Sequence, residues 1–303
     1  MSDDRPTSPF NVVTGVPRSC TTLMQNLLNQ NPDFYCSSTS HLARESTEDV
    51  TRWISTPDFQ AALGRDRQGE TSKLYERAKK LFDDRHQADA EAAGKPDAVV
   101  FDKGRGWTFA LDLLWSVYPN ARVIVCVRDL RDVFASMERQ FRKNGLLNNS
   151  PNLISRTITA RMASLFSLDG NGHLGGPIAG VSDMINRGLF RDGRPTDDRI
   201  ILVRAEDLAR APRANMKAIY KRLNVPYYKP HQFDDVENTA TDPDHTSLYH
   251  FPHEGCGKVE ASPHKWSASF AQHIGDEIIQ RYPRYFMQFG YWTPTPVQEQ
   301  GER

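Results

Sequence analysis

The sequence predicts a single-domain α/β protein in which a parallel sheet forms the middle of three layers, with helices on both faces. Three observations predict it. Short apolar, largely β-branched runs at 10–13, 99–101, 122–127 and 199–203 alternate with stretches at helical spacing, the pattern of right-handed βαβ units. The run Arg122-Val123-Ile124-Val125-Cys126-Val127 is almost wholly apolar, as an interior strand covered on both faces is. Arg18, Lys103 and Arg128 each follow the end of such a run, and in open parallel sheets ligands bind at the strand C-termini.

Residues 1–9 read as a flexible polar tail. Phe10-Asn11-Val12-Val13 is a strand, 14–22 a turn opened by glycine and proline, and Leu23-Met24-Gln25-Asn26-Leu27-Leu28 a helix. Such a unit aims several backbone N–H groups and the positive end of a helix at one point, which makes an anion site. Asn31-Pro32-Asp33 ends the helix before a second short strand, Phe34-Tyr35-Cys36. The polar stretch 37–49, with His41 and Glu45, reads as a loop at the mouth of the site. Residues 73–93 are rich in charge with sparse apolar positions and read as a surface helix.

The strand at 99–101 delivers Asp102 and Lys103 to its C-terminal end, and 107–117 is an amphipathic helix. After the 122–127 strand come helices at 131–142 and 155–166. Residues 169–180 hold five glycines and read as a mobile loop or lid. A strand at 199–203 precedes a helix over 212–223 with proline in its first turn. Residues 231–257 are irregular, 267–281 is a helix, and the aromatic stretch 282–292 is expected to pack on the sheet. The domain thus runs over 10–293, followed by a second tail at 294–303.

Lys+Arg 38 against Asp+Glu 38 leaves no net charge in 303 residues, so nothing global points to nucleic acid or an acidic membrane. A polyanionic ligand has to be held by locally placed cations. Four widely spaced cysteines without a CxxC pair read as reduced thiols in a cytoplasmic protein, not a disulfide framework or a zinc site. No run approaches the ~20 apolar residues that span a bilayer, and the N-terminus lacks an apolar signal core. The expected state is a monomer or homodimer.

Against the ATP-binding loop pattern G-x-x-x-x-G-K-[ST], Gly15 and Thr22 match, but Cys20 and Thr21 stand where the second glycine and the lysine belong. Without that lysine the loop cannot hold a β/γ-phosphate in the usual way. Arg18 supplies charge three positions earlier, and Arg128 stands where a magnesium-holding aspartate is common. The chemistry favours an anion bound without a metal on a P-loop-type fold.

Gly15-Val16-Pro17-Arg18-Ser19-Cys20-Thr21-Thr22-Leu23 resembles the 5′-phosphosulfate loop of sulfotransferases that use 3′-phosphoadenylyl sulfate (PAPS). Arg128-Asp129-Leu130-Arg131-Asp132-Val133-Phe134-Ala135-Ser136 resembles their 3′-phosphate motif. Arg204-Ala205-Glu206-Asp207-Leu208 is similar to the family's [RY]-Y-E-D-L element, and 257–266 to its C-terminal cofactor loop. The nearest likeness is to the tyrosylprotein branch, through 15–24, Asn31-Pro32-Asp33, Asp102-Lys103 and 118–129.

The resemblance implies sulfuryl transfer from PAPS to a hydroxyl acceptor, leaving adenosine 3′,5′-bisphosphate (PAP), with no metal. Arg18 and the N–H groups of Ser19, Cys20, Thr21 and Thr22 are then expected to hold the 5′-phosphosulfate, with Thr22 also helping to cap the helix. Arg128 and Ser136 take the 3′-phosphate. Arg204, Lys258 and Lys265 complete the donor site, and Lys103 stabilises the leaving group as the main catalytic cation. His41 and Glu45 rank equally as general base, since the chain has Arg105 and Ser37-Ser38-Thr39 where family members carry theirs. The stretches 37–72 and 143–195 are expected to form the acceptor pocket and lid. Peptide tyrosine, sugar, lipid and small metabolite all remain open as acceptor. Cys20, for which a helical-region φ is expected, and Ala205 leave open a catalytically silent nucleotide-binding protein; a P-loop small-molecule kinase is the other alternative.

Overall fold

The computed structural model describes residues 8–143, 157–165, 178–239, 255–262 and 265–293. Most of both predicted tails and the glycine-rich stretch up to 177 lie outside them.

Five parallel strands form the middle layer: β1 (Phe10–Gly15), β2 (Phe34–Thr39), β3 (Val99–Lys103), β4 (Val123–Val127) and, after a two-residue hairpin β5–β6 (Phe190–Arg191, Arg194–Pro195), β7 (Ile200–Arg204). Their order is β2-β3-β1-β4-β7. The Gly15 end of β1, the Lys103 end of β3 and the Val127 end of β4 therefore lie side by side.

Side-chain alternation along the strands builds two cores. Val12, Val123, Val125 and Val127 face one layer, made by α5 (Leu111–Val117), α6 (Leu130–Lys143), α8 (Ala179–Asn186), α11 (Gln272–Arg281) and α12 (Pro283–Gln288). Val13, Ile124, Cys126 and Val203 face the other, made by α1 (Thr21–Asn29) and α10 (Pro212–Leu223). Every residue of β4 is buried. The aromatic C-terminal stretch packs as expected, with Tyr285, Phe286 and Phe289 buried in the first core.

Several local readings need correction. The stretch 37–49 is not a loop: β2 runs on to Thr39 and α2 (Leu42–Ile54) begins three residues later. Only Leu42, Ala43 and Ser46 of α2 are buried, so its inward stripe is too thin to stand out in a polar segment. It is followed by α3 (Pro57–Arg65) and α4 (Arg67–Ala92), the latter buried at Leu74, Ala78, Phe82, His86 and Ala90. The helix read at 107–117 divides into a 3₁₀ turn (Arg105–Thr108) and α5. A 3₁₀ turn (Trp266–Ala268) likewise precedes α11. Gly180 belongs to α8 and not to a loop. The remaining helices are α7 (Ile158–Leu165) and α9 (Ala205–Arg210).

Candidate active site

The loop between β1 and α1 is folded onto the end of β4. Val16 N–H donates to the Cys126 carbonyl at 3.2 Å. Ser19 Oγ lies 2.6 Å from the Val16 carbonyl and 2.9 Å from that of Cys126, so this buried hydroxyl is spent on shaping the loop. Gly15 makes the approach possible: its φ is +147°, and a Cβ there would stand 2.0 Å from the Cys126 oxygen. Gly15→Ala is expected to destabilise the fold by about 3 kcal/mol or more, read from the denaturant midpoint.

Cys20 departs from expectation. It occupies the cap position of α1 in the left-handed conformation, φ 69° and ψ 19°, and its side chain makes no capping bond. Thr22, expected to help cap, is the second residue of the helix. Arg18 is also left-handed, with φ 59°. A left-handed non-glycine residue costs ~1–2 kcal/mol, part of which glycine's larger unfolded-state entropy offsets. Cys20→Gly is therefore expected to leave folding stability unchanged or raised by up to about 1 kcal/mol, read from the denaturant midpoint, without loss of anion affinity.

Three guanidinium groups converge on this loop. Arg18 Nε donates to Ser136 Oγ at 3.1 Å, which joins two residues expected to serve opposite ends of the donor. Arg128 Nη1 donates to the Arg18 carbonyl at 3.1 Å. Arg139, three residues after Ser136 on α6, donates from Nη1 to Ser269 Oγ at 3.1 Å and acts on Arg18 through its charge. Burial and the charges of Arg128 and Arg139 pull the Arg18 pKa down to about 10. Burial, then Arg128, lowers that of Arg139 as well.

Both acidic neighbours of Arg128 have other partners, although its charge also bears on Asp132. Asp129 pairs with Arg131 at 2.6 Å, and Asp132 accepts the Trp266 N–H at 2.8 Å. Its backbone is clamped instead: buried Tyr285 Oη accepts from Arg128 N–H at 3.3 Å and donates to the Arg128 carbonyl at 2.9 Å.

A depressed cationic pKa means that the folded state holds its proton less tightly than the unfolded one, so the charged Arg18 opposes folding below about pH 10. A bound anion removes that penalty. Sulfate is expected to raise the melting temperature more than chloride at matched ionic strength, and the excess should shrink in Arg18→Gln to sulfate's general salting-out effect.

Lys103 and Asp102 point to opposite faces of β3. The buried Lys103 Nζ reaches Thr22 Oγ1 at 3.3 Å, on the loop side. Asp102, fully buried, accepts from Trp107 Nε1 at 2.5 Å and lies 3.1 Å from His86 Nε2. Ser37 Oγ ties the two strands by accepting the Lys103 N–H at 3.0 Å.

Two cavities flank the loop and share Arg18, Thr21 and Thr22. The larger, about 560 Å³, also takes in Cys20, Arg128, Asp132, Glu206, Lys258 and Lys265. The smaller, about 90 Å³, is lined on its far side by Thr39, Lys103, Arg105, Met137 and Gln140. Lys258 and Lys265 are exposed, and Lys258 lies 3.7 Å from Glu260. Asn26 Nδ2 donates to the Gly255 carbonyl at 2.8 Å, which fastens the C-terminal segment to α1.

Arg204 lines neither cavity: its guanidinium donates to the Phe289 carbonyl and stacks 5.0 Å from the Tyr291 ring. Glu206, two residues on, faces the larger cavity and accepts from Asp129 N–H at 3.1 Å and Tyr291 Oη at 2.9 Å. His41 and Glu45 sit exposed at the start of α2 and line neither cavity. Among the described residues no cluster of three or more His, Cys, Asp or Glu could hold a metal ion. No helix among them is long and apolar enough to cross a membrane.

A glycine-opened loop at the C-terminal edge of a five-stranded parallel sheet, with a cationic cleft on one side and a small pocket on the other, defines a fold of the P-loop type. The chain belongs to the sulfotransferase family, whose sequence model matches residues 9–230. Mouse sulfotransferase SULT7A1, solved in complex with PAP, shares the fold at 13% identity and a TM-score of 0.51, over 92% of this chain and 86% of that one. Sulfotransferase STF9 from Mycobacterium avium aligns over 93% of this chain and 77% of its own, at 15% identity and a TM-score of 0.48. The sulfotransferase domain of the Synechococcus PCC 7002 olefin synthase covers 97% and 99% at 18% identity and 0.48. No curated protein sequence matches the chain.

Proposed function

We propose that this sulfotransferase uses PAPS as donor and passes its sulfuryl group in line to an acceptor hydroxyl. The observation that carries the reading is the pair of cavities sharing Arg18, Thr21 and Thr22, with Lys103 reaching Thr22 from the smaller one. The residues present suit a polyanion, because burial and the Arg128 charge lower the proton affinity of Arg18 and Arg139, a strain that a phosphate or sulfate would relieve.

The N–H groups of Ser19, Cys20, Thr21 and Thr22, with Arg18, hold the 5′-phosphosulfate at the positive end of α1. Arg128 and Ser136 take the 3′-phosphate, with Arg139 as a third partner that its position on α6 suggests. Lys103 neutralises charge on the leaving bisphosphate, and such placed charge supplies most of the rate in transfers of this kind. Lys258 and Lys265 approach from the rim of the cleft, and Arg204 acts by holding the C-terminal segment. His41 and Glu45 are kept as the bases to test, and no step is assigned to either. The mouse relative's complex with PAP supports the donor. The likeness to the tyrosylprotein branch is carried over for the donor site only.

The catalytic domain of this proposal spans 10–293 between two tails. The free state of all four cysteines supports a reducing, cytoplasmic setting. The test is transfer of labelled sulfate from PAPS to a panel of phenols, sugars and alcohols in EDTA. Labelled product is the expected result. PAP binding without transfer to any acceptor would favour a silent nucleotide-binding protein, and binding of ATP with Mg²⁺ in place of PAP would favour a kinase.

A further inference from the structure

We infer that the acceptor is an amphipathic hydroxy acid: a hydroxyl on an apolar frame whose far end carries a carboxylate, recognised by Arg105. The inference rests on the donor and transfer direction proposed above. The smaller cavity has an apolar throat, formed by Val16, Pro17 and Met137, between the loop and α6. Its remaining wall is cationic or neutral: Lys103 at the loop end, Arg105 further out, and the amide of Gln140. The described lining includes no aspartate or glutamate. A neutral protein has thus gathered an ammonium and two guanidiniums, counting Arg18, around a pocket of about 90 Å³. Arg18 and Lys103 are accounted for by the donor. Arg105 is not.

The local structure fixes where Arg105 stands. It begins the 3₁₀ turn that follows β3, and Thr108 Oγ1 closes that turn on the Arg105 carbonyl at 2.8 Å. Gly106 lets α2 press against the turn, since a Cβ there would come within 3.0 Å of Ala43 Cβ. The backbone is therefore held from both sides while the side chain stays exposed at the pocket. A planar guanidinium in that position matches a carboxylate by two parallel hydrogen bonds. Like-charge repulsion from the same cations disfavours an acceptor bearing an amine.

Three para-substituted phenols of similar size separate the charge classes: 3-(4-hydroxyphenyl)propionate, 4-ethylphenol and tyramine. With PAPS in excess, kcat/KM is expected to be about tenfold higher for the anionic phenol than for the neutral one, and lowest for tyramine. Arg105→Ala should remove the anionic preference by raising KM with little change in kcat, and Arg105→Glu should shift it towards tyramine. Equal rates across the three phenols, no sulfation of the anionic one, or a preference that survives Arg105→Ala would overturn the inference. PAP calorimetry on the same samples keeps the two readings apart. Absent PAP binding means that the donor assignment has failed, whereas normal PAP binding with equal rates means that only the acceptor assignment has.

Discussion

Lys103→Ala is expected to lower kcat by about 10²–10³-fold with a much smaller loss of PAP affinity, the effect of removing one preorganised charge from a transferring centre. Lys103 is buried at the end of β3, touches Thr22 and faces away from Asp102. Its ammonium is therefore directed at the loop, where the proposed transfer would build charge on the departing group. Steady-state rates with PAPS, beside calorimetry with PAP, separate the two quantities. A variant that loses PAP binding and rate in equal measure would make Lys103 a donor-binding residue and not a catalytic one.

Arg128→Ala is expected to weaken PAP binding by about 10–150-fold, equivalent to the ~1.5–3 kcal/mol of hydrogen bonding to a charged group. Its guanidinium bonds the Arg18 carbonyl, and Tyr285 clamps its backbone from both N–H and C=O. On the proposed reading, losing it removes a phosphate partner and slackens the loop together. Arg128→Lys should recover only part of the loss, because an ammonium cannot supply the planar fork. Tyr285→Phe tests the clamp separately: affinity falls by a smaller factor, with the guanidinium still present.

The strands β1, β3, β4 and β7 were legible because they are apolar and largely β-branched, and the placing of cations after them followed from the parallel arrangement. The 212–223 helix was legible to the residue, since Pro212 marks its first turn and Asn224 closes it in the left-handed region. Arg139 was missed, although it follows Ser136 by three residues on one helix face. What escaped the sequence depends on tertiary context. The α2 helix shows only a thin inward stripe at Leu42, Ala43 and Ser46. Cys20 takes a glycine-like φ because Gly15, Val16 and Ser19 tie the loop to the Cys126 carbonyl and leave it little freedom. Tyr285 meets Arg128 across 157 residues of chain, and Arg204 turns to Phe289 across 85. No local pattern encodes either contact.

Calorimetric titration of the protein with PAP in EDTA tests the central claim most directly. The account predicts saturable binding at one site, independent of added Mg²⁺ and weakened by Arg128→Ala. An absence of binding, or binding that appears only when Mg²⁺ is supplied, would contradict it.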